Sequence, residues 1–333
     1  MELRHLRYFL AVVDEGGVNK AASALHVAQP SLSQALRKFE KSLGTQLFHR
    51  VGRGLVLSPA GEALVGPARI ILRDVADAEN AVTDVRAARR GRVDVATLSD
   101  VSTEPLSSWI AQFRTRHPGV TFRVSEHETV ASIVQAVHQG SSEIGMLPLP
   151  IGTGSGLVER FVVRQQFVAV LPPGSPHDAP GPIAATDLRD TPLVMGEPEG
   201  ATAAYIGAYL RDNGVEPMIA VEVPQGGAVM PIVVLGGGAA IVPLRLAVEA
   251  RAHGAVVREL DPPLTRTLGM IHRAGRVSET TVEFLSVADE LLKQWYGSLE
   301  RHRAEGASLV DAATLTTDAI HRRVRARADE FDR

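Results

Sequence analysis

The sequence predicts an α/β protein in three parts. A small helical module closed by a β-hairpin comes first, then one long amphipathic helix, then a larger body that divides into two lobes. Three observations predict it. Residues 1–60 combine three short helical periods with a basic charge. Residues 59–88 repeat apolar side chains every three or four positions. From residue 91 onward short strands alternate with helices, the pattern of a parallel sheet covered by helices on both faces. The length of 333 residues fits this division, since one hydrophobic core rarely organises more than ~250–300 residues.

Composition narrows the class. Hydrophobic residues make up 45% and charged residues 22%, as in ordinary globular chains. No stretch of ~18 uncharged apolar residues exists, so no membrane partner is expected. The N-terminus Met1-Glu2-Leu3-Arg4-His5 lacks the apolar core of an export signal, and the expected compartment is cytoplasmic. Cysteine is absent, which excludes disulfides, thiol nucleophiles and cysteine-ligated zinc or iron–sulfur clusters. The net charge of -3 hides an asymmetry. Residues 1–60 carry eight Lys or Arg and four Asp or Glu, a net +4, which leaves -7 for the rest of the chain. A basic end on an acidic body is a first sign of a module that binds a polyanion.

Each element of the basic end has a local reason. Leu3, Leu6, Phe9, Leu10 and Val13 recur at helical spacing until Gly16-Gly17. A second helix over Val18–His26 turns Ala21, Ala22 and Leu25 inward, the alanines allowing close approach of a neighbour. Val27-Ala28-Gln29 is a tight link, and Pro30 suits the first turn of a third helix. That helix places Leu32, Leu36, Phe39 and Leu43 on one face and Ser31, Ser33, Gln34, Arg37, Lys38 and Lys41 on the other, with no acid among the latter. Short polar side chains near its N-terminus suit base edges, and cations further along suit phosphates. Gly44 ends the helix, and residues 49–57 read as a hairpin, or wing, with Arg50 and Arg53 near its tip. The plain alternative is an amphipathic helical subdomain with a solvated face. Three helices, the turn and the wing together favour a winged helix-turn-helix that reads double-stranded DNA.

Here the sequence resembles the LysR-type transcriptional regulators. The residues that carry the likeness are Leu6-Arg7-Tyr8-Phe9, Ala21-Ala22, Gln29-Pro30-Ser31-Leu32-Ser33-Gln34, Glu40, Leu43-Gly44, Leu47-Phe48, Arg50 and Leu57-Ser58-Pro59-Ala60-Gly61. The resemblance implies a third helix lying in the major groove of a promoter or operator. By position it puts DNA contacts on Gln29, Ser31, Ser33, Gln34, Arg37, Arg50 and Arg53, to which the polar face adds Lys38. Val18-Asn19 departs from the Ser-Phe type of pair usual in the family.

Ser58 can cap the next helix, with Pro59 at its first position and Glu62 at its positive end. Leu64, Ala68, Ile71, Val75, Ala78, Val82 and Val85 then form a heptad seam on a helix expected to reach Ala88. Such a seam must be buried, either on the chain's own body or against a second copy. The resemblance implies the second copy, as a homodimer or homotetramer that sets two recognition helices on two half-sites. Ala88-Arg89-Arg90-Gly91 reads as a basic hinge. The expected divisions are a DNA-binding domain at 1–58, a linker helix and hinge at 59–90, a body at 91–296 and a C-terminal extension at 297–333.

Within the body, strands are expected at 92–97, 121–124 and 144–147, and helices at 106–116 (Leu106, Ile110 and Phe113 inward) and 130–138. Residues 161–171 can cross into a second lobe spanning about 165–265. That lobe contains Leu193-Val194-Met195, Ala204–Leu210, Ala220–Val223, Val229–Leu235 and Ala240–Pro243. Residues 268–271 form the return crossing, and a helix over Val282–Trp295 closes onto the first lobe, which holds 91–164 and 266–296. Two lobes joined by two crossovers leave a cleft into which strand C-terminal ends open. This layout resembles the effector domain of the same regulators, a fold shared with periplasmic solute-binding proteins, and Gly236-Gly237-Gly238 before Ala240–Pro243 matches the glycine-rich turn and strand there. The expected ligand is a small-molecule effector. Bound between the lobes, it changes their closure and thereby DNA bending or contact with RNA polymerase.

Strand ends nominate the cleft residues. Ser99, Asp100, Ser102 and Thr103 follow the first strand; His127, Glu128 and Thr129 follow the second; Pro148 follows the third. Thr202 and Gly226 lie on the matching loops of the second lobe. Ser99, Thr103 and Thr129 can equally be simple helix caps. Asp100, Glu126 and Glu128 near one mouth weigh against a strongly anionic effector. The chain is not expected to be an enzyme and needs no metal or cofactor. No Lys has Ser three residues before it, and no Gly-x-Ser-x-Gly, P-loop or His-Glu-x-x-His pattern occurs. A solute-binding or transport module without DNA function is the alternative, opposed by the basic winged module. Gly297–Arg333 carries seven Arg and seven acids and reads as a solvated helix or as a contact with DNA or another subunit.

Overall fold

The computed structural model describes residues 2–51, 54–83, 91–152, 156–177, 181–223, 226–275 and 277–331. The N-terminal module comprises α1 (Leu3–Asp14), α2 (Val18–Ala24) and α3 (Gln29–Leu43). The hairpin β1 (Phe48–Val51) and β2 (Gly54–Leu57) follows, antiparallel in register from Phe48↔Leu57 to Val51↔Gly54. Its core joins Leu6, Phe9, Leu10 and Val12 to Ala21, Ala22, Leu32, Leu36, Phe39 and Leu47. Val12 is buried where the spacing predicts Val13, which is half-buried, and Leu3 is exposed at the free end of α1. Glu40 ties α3 to the hairpin: its Oε1 accepts from the Leu47 N–H at 2.8 Å and the Phe48 N–H at 3.3 Å.

Helix α4 (Pro59–Thr83) starts at the expected cap, where Ser58 Oγ accepts from the Gly61 N–H at 3.0 Å and donates to the Gln46 carbonyl at 2.6 Å. Gly61 is required by packing, since a Cβ there would lie 2.1 Å from the Leu47 carbonyl oxygen. The seam on α4 corrects one expectation. Ala68 is fully buried in the core of the N-terminal module, and Leu64 and Ile71 pack against that same core. Ala68 is thus taken up by its own chain, while Leu64 and Ile71 pack on that core with part of their surface still open. The physical reason is size: three short helices cannot enclose a core, and α4 supplies the missing wall. The division at 58/59 therefore cuts through one core. Further along, Val75 is half-buried and Ala78 exposed. Val82 lies on the helix with its side chain undescribed, and Val85 and the hinge at 88–90 fall outside the described residues. Arg73 Nη2 donates to the Gly140 carbonyl at 2.8 Å and lies 3.7 Å from Asp94, so α4 also grips the first lobe.

The first lobe runs through β3 (Arg92–Leu98), a short turn α5 (Ser99–Val101), α6 (Ser107–Arg116), β4 (Thr121–His127), α7 (Val130–His138) and β5 (Ile144–Pro148). Strand β6 (Leu157–Leu171) crosses to the second lobe. That lobe contains β7 (Ile183–Ala184), β8 (Leu193–Gly196), α8 (Ala201–Asp212), β9 (Ile219–Val223), α9 (Val229–Val234), β10 (Ala240–Pro243), α10 (Leu244–Ala252) and β11 (Val256–Asp261). Strand β12 (Thr265–Arg273) returns, and α11 (Glu279–Ala304) and α12 (Leu309–Phe331) follow. The main sheet orders β4-β3-β5-β12-β6-β11-β7, with β10 also on β6. Strands β3, β4 and β5 are parallel, as the alternation predicts. The crossover strands are antiparallel, because one leaves the first lobe and the other comes back. Through Gln166, β6 pairs with β12; beyond it, β6 pairs with β10 and β11.

Each lobe has its own core. The first packs Val93, Val95, Trp109, Phe113, Ile133, Met146 and Met270 with α11 residues Phe284, Ala288 and Leu291. Trp109, more than Ile110, fills the α6 face of this core. Farther along α11, Trp295 and Leu299 enter a second-lobe core with Val242, Val248, Leu309, Val310 and Ala313. Helix α11 thus spans both lobes, and no division falls at 296/297, where the helix is continuous. The extension is no solvated helix in its first half: α12 packs its Leu309–Ala313 turn into the second lobe. Buried Glu143 anchors the start of α11, accepting from the Ser278 N–H at 2.5 Å and from Thr281 Oγ1 at 2.7 Å.

Candidate functional sites: a recognition helix and an interlobe cleft

Helix α3 presents Gln29, Ser31, Gln34, Arg37 and Lys38 to solvent while Leu32, Leu36 and Phe39 hold its other face in the core. Ser33 is half-buried, and its Oγ accepts from Gln29 Nε2 at 2.9 Å, so these two side chains are already joined. Among the described residues neither Arg37 nor Lys38 has an ion-pair partner, which leaves both cations free for an outside anion. Arg50 lies on β1, adjacent in sequence to the turn, with its side chain undescribed; Arg53 falls outside the described residues.

The second site is a cavity of about 110 Å³ between the lobes. From the first lobe come Leu98, Ser99 and Asp100 at the end of β3, and His127 and Glu128 at the end of β4. From the second come Met195 to Glu197 after β8, Gly200 to Ala203 and Ile206 at the start of α8, Val229 and Met230 at the start of α9, and Ile241 to Pro243 of β10. The predicted residues Ser99, Asp100, His127, Glu128 and Thr202 meet here. Ser102, Thr103, Thr129, Pro148 and Gly226 do not line this cavity. The chain coils as soon as β3 ends, which carries Ser102 to an outer groove beside Ser107, Ile110 and Arg114, and leaves Thr103 exposed with its Oγ1 donating to the Ser99 carbonyl at 3.0 Å. Thr129 serves as the cap of α7, accepting from the Ser132 N–H at 3.2 Å. Pro148 sits in the sheet opposite Leu268, and Gly226 lies in a short helical turn outside the cavity lining.

The lobes touch across this cleft. The Ala201 N–H donates to the Glu128 carbonyl at 2.8 Å, and Thr202 Oγ1 donates to Asp100 Oδ1 at 3.3 Å. At the floor, Arg266 of the return strand β12 pairs with Asp100 Oδ2 and donates to Gln165 Oε1 of the crossover strand β6 at 2.6 Å and to Thr202 Oγ1 at 2.9 Å. Its guanidinium lies 5.0 Å from the Phe167 ring centre. Both crossover strands and both lobes therefore contribute to one buried network. Arg266 and Gln165 escape a reading by motif, although an arginine as buried as Arg266 has to find a partner. A second bridge joins Arg245 of α10 to Glu104 of the first lobe, with Nε to Oε2 at 3.0 Å.

Among the described residues, His127 is the one histidine that lines the cleft. Burial lowers its pKa from the ordinary 6.5, which favours the neutral ring in the folded protein. The unfolded chain takes up a proton first as pH falls, so the stabilisation is complete above 6.5 and is lost below it. His127→Asn should flatten the fall of Tm between pH 6.5 and about 5. Thermal unfolding across that range checks it, and an unchanged slope would remove His127 from the acid response.

Among the described residues no helix is long and apolar enough to cross a membrane, and no cluster of three or more His, Asp or Glu side chains is placed to hold a metal. Residues 3–62 match the family described as "Bacterial regulatory helix-turn-helix protein, lysR family", and residues 86–293 match the "LysR substrate binding domain". The chain is 30% identical over 246 residues to the HTH-type transcriptional regulator BudR of Raoultella terrigena, covering 73% of this chain and 84% of that one. It is 29% identical over 291 residues to the regulator TfdS of Cupriavidus pinatubonensis, covering 83% and 90%. Among solved structures, a full-length OxyR variant from Pseudomonas aeruginosa shares the fold with a TM-score of 0.67 at 20% identity, covering 88% and 95%. CbnR, a LysR family transcriptional regulator, does so at 0.61 and 21%, covering 87% and 99%. With its helix-turn-helix and its two-lobed domain matched in order along one chain, the protein belongs to the LysR family of bacterial transcriptional regulators.

Proposed function

We propose that the chain binds operator DNA through α3 and the wing, and that a small molecule held between the lobes controls this binding. The observation that carries the reading is the outer face of α3, where Gln34, Arg37 and Lys38 stand exposed and uncommitted. In this reading Gln34, with Gln29 and Ser31, reads base edges, and Arg37, Lys38, Arg50 and Arg53 hold phosphates. The cleft bears on the DNA-binding end through α4, whose inner face belongs to the N-terminal core and whose Arg73 reaches the first lobe. Ligand-dependent closure changes the position of that lobe relative to α4 and so the spacing of paired readers in an oligomer. The part of the seam left for a second copy begins at Val75.

The related structure of full-length CbnR with its target DNA is 21% identical, has a TM-score of 0.60 and supports the fold of this arrangement. The test is nuclease footprinting of the purified protein on the DNA upstream of its own gene and of the adjacent genes. The expected result is a protected site of two half-sites about one helical turn apart, whose protection weakens steeply with salt. Absence of protection at every such site at low salt would defeat the reading.

A further inference from the structure

We infer that Asp100 is an internal counter-ion that withdraws Arg266 from the cleft, so that the cleft selects an uncharged or cationic ring-sized organic ligand and rejects carboxylates. The inference deepens the ligand-sensing reading above, on which it rests, by naming the ligand class.

The charges around the cavity carry the argument. None of the residues lining it is Lys or Arg. The cation beneath it, Arg266, is 6% exposed, and its guanidinium is taken up by Asp100, Gln165, Thr202 and the Phe167 ring. Asp100 is itself 8% exposed, lines the cavity and pairs with that guanidinium. A carboxylate entering the cleft would have to displace Asp100 from a buried pair and leave its charge without a partner, which is strongly unfavourable. Two further carboxylates, Glu128 and Glu197, line the cavity and repel a second anion. At the start of α8 the first amide is already bonded to the Glu128 carbonyl. Beside the polar Ser99, His127 and Thr202, most of the remaining lining is apolar, including Leu98, Val194, Met195, Ile206, Met230 and Leu246. A cavity of about 110 Å³ is near the ~150 Å³ that holds a benzene ring, which sets the size.

The test uses benzoate, benzyl alcohol and benzylamine, three probes with one ring and different charge, titrated calorimetrically into the full-length protein. Benzyl alcohol or benzylamine should bind the wild type at least about tenfold more tightly than benzoate, the scale of one hydrogen bond to a charged group. Asp100→Asn should raise benzoate affinity by about tenfold or more, and adding Arg266→Gln should abolish that gain. Benzoate binding the wild type as well as or better than the other two overturns the inference, as does a folded Asp100→Asn protein with no gain. Failure of all three probes to bind either protein also overturns it. The wild-type ranking decides the matter alone if Asp100→Asn does not fold. A benzoate-first ranking leaves ligand control of DNA binding standing, whereas the footprint tests that reading independently of any probe.

Discussion

Arg266→Met should destabilise the effector body by about 3–5 kcal/mol, the scale of breaking a buried ion pair from one side. The substitution leaves Asp100, 8% exposed, with Thr202 as its remaining side-chain partner, and it also frees Gln165 Oε1 and the Thr202 hydroxyl from their donor. The loss should be largest at the hinge, because the network joins β6, β12, the end of β3 and the start of α8. The protein's two tryptophans report it separately: Trp109 lies in the first-lobe core and Trp295 in a second-lobe core. Urea unfolding followed at single-tryptophan variants should show both lobes losing stability together. Replacing Asp100 and Arg266 at once by Asn and Met should cost less than the two single changes added, because neither charge is then left alone. A loss below about 1 kcal/mol for Arg266→Met would mean that water reaches Asp100 freely and that the pair contributes no more than a surface ion pair.

The N-terminal module and the alternation of the body were legible because they rest on short-range rules. Helix α7 and strand β10 occupy the expected residues Val130–His138 and Ala240–Pro243, and the Ser58 cap sits at its predicted place. Where an apolar stripe was read, its burial was legible but its partner was not. Leu64, Ala68 and Ile71 satisfy a heptad seam equally well against a second helix or against the module's own core, and the small size of the module draws Ala68 fully into the latter. The extension misled for the same reason. Leu309, Val310 and Ala313 are the apolar face of a helix whose outer residues are polar, and composition averages the two.

Five of the ten nominated residues, Ser99, Asp100, His127, Glu128 and Thr202, line the cleft, because strand C-terminal ends in such sheets converge. Polar residues one turn farther along, Ser102, Thr103 and Thr129, were indistinguishable from them until the coil after β3 and the cap of α7 fixed where each side chain goes. The buried network was illegible for a different reason. The bonded pairs among Asp100, Gln165, Thr202 and Arg266 are 64 to 166 positions apart along the chain, and no local pattern connects them. Nor did the sequence mark Arg266, which lies between Thr265 and Thr267, outside the apolar run 268–271 read as the return crossing.

Gln34→Ala and Arg37→Ala should both weaken operator binding, and the manner of weakening separates their roles. Both side chains are exposed, and the helix is held by Leu32, Leu36 and Phe39 on its opposite face, so neither change should disturb the fold. A side chain that bonds a base edge contributes about 1–3 kcal/mol of discrimination. Gln34→Ala should therefore lose about ten- to hundredfold on the operator, little on random DNA, and nothing in salt dependence. A phosphate contact carries no sequence information, so Arg37→Ala should weaken operator and random DNA alike. It should also reduce the slope of log K against log salt by about one, since one fewer counterion is released. Ser33→Ala should have a smaller effect than either, because Ser33 is half-buried and its oxygen already accepts from Gln29. Titrations at several salt concentrations on both DNAs measure all three. If Arg37→Ala alters affinity only on the operator and leaves the salt slope intact, then Arg37 reads a base and the phosphate-holding role passes to Lys38 and the wing. If neither Gln34→Ala nor Arg37→Ala changes affinity, α3 does not enter the groove by this face.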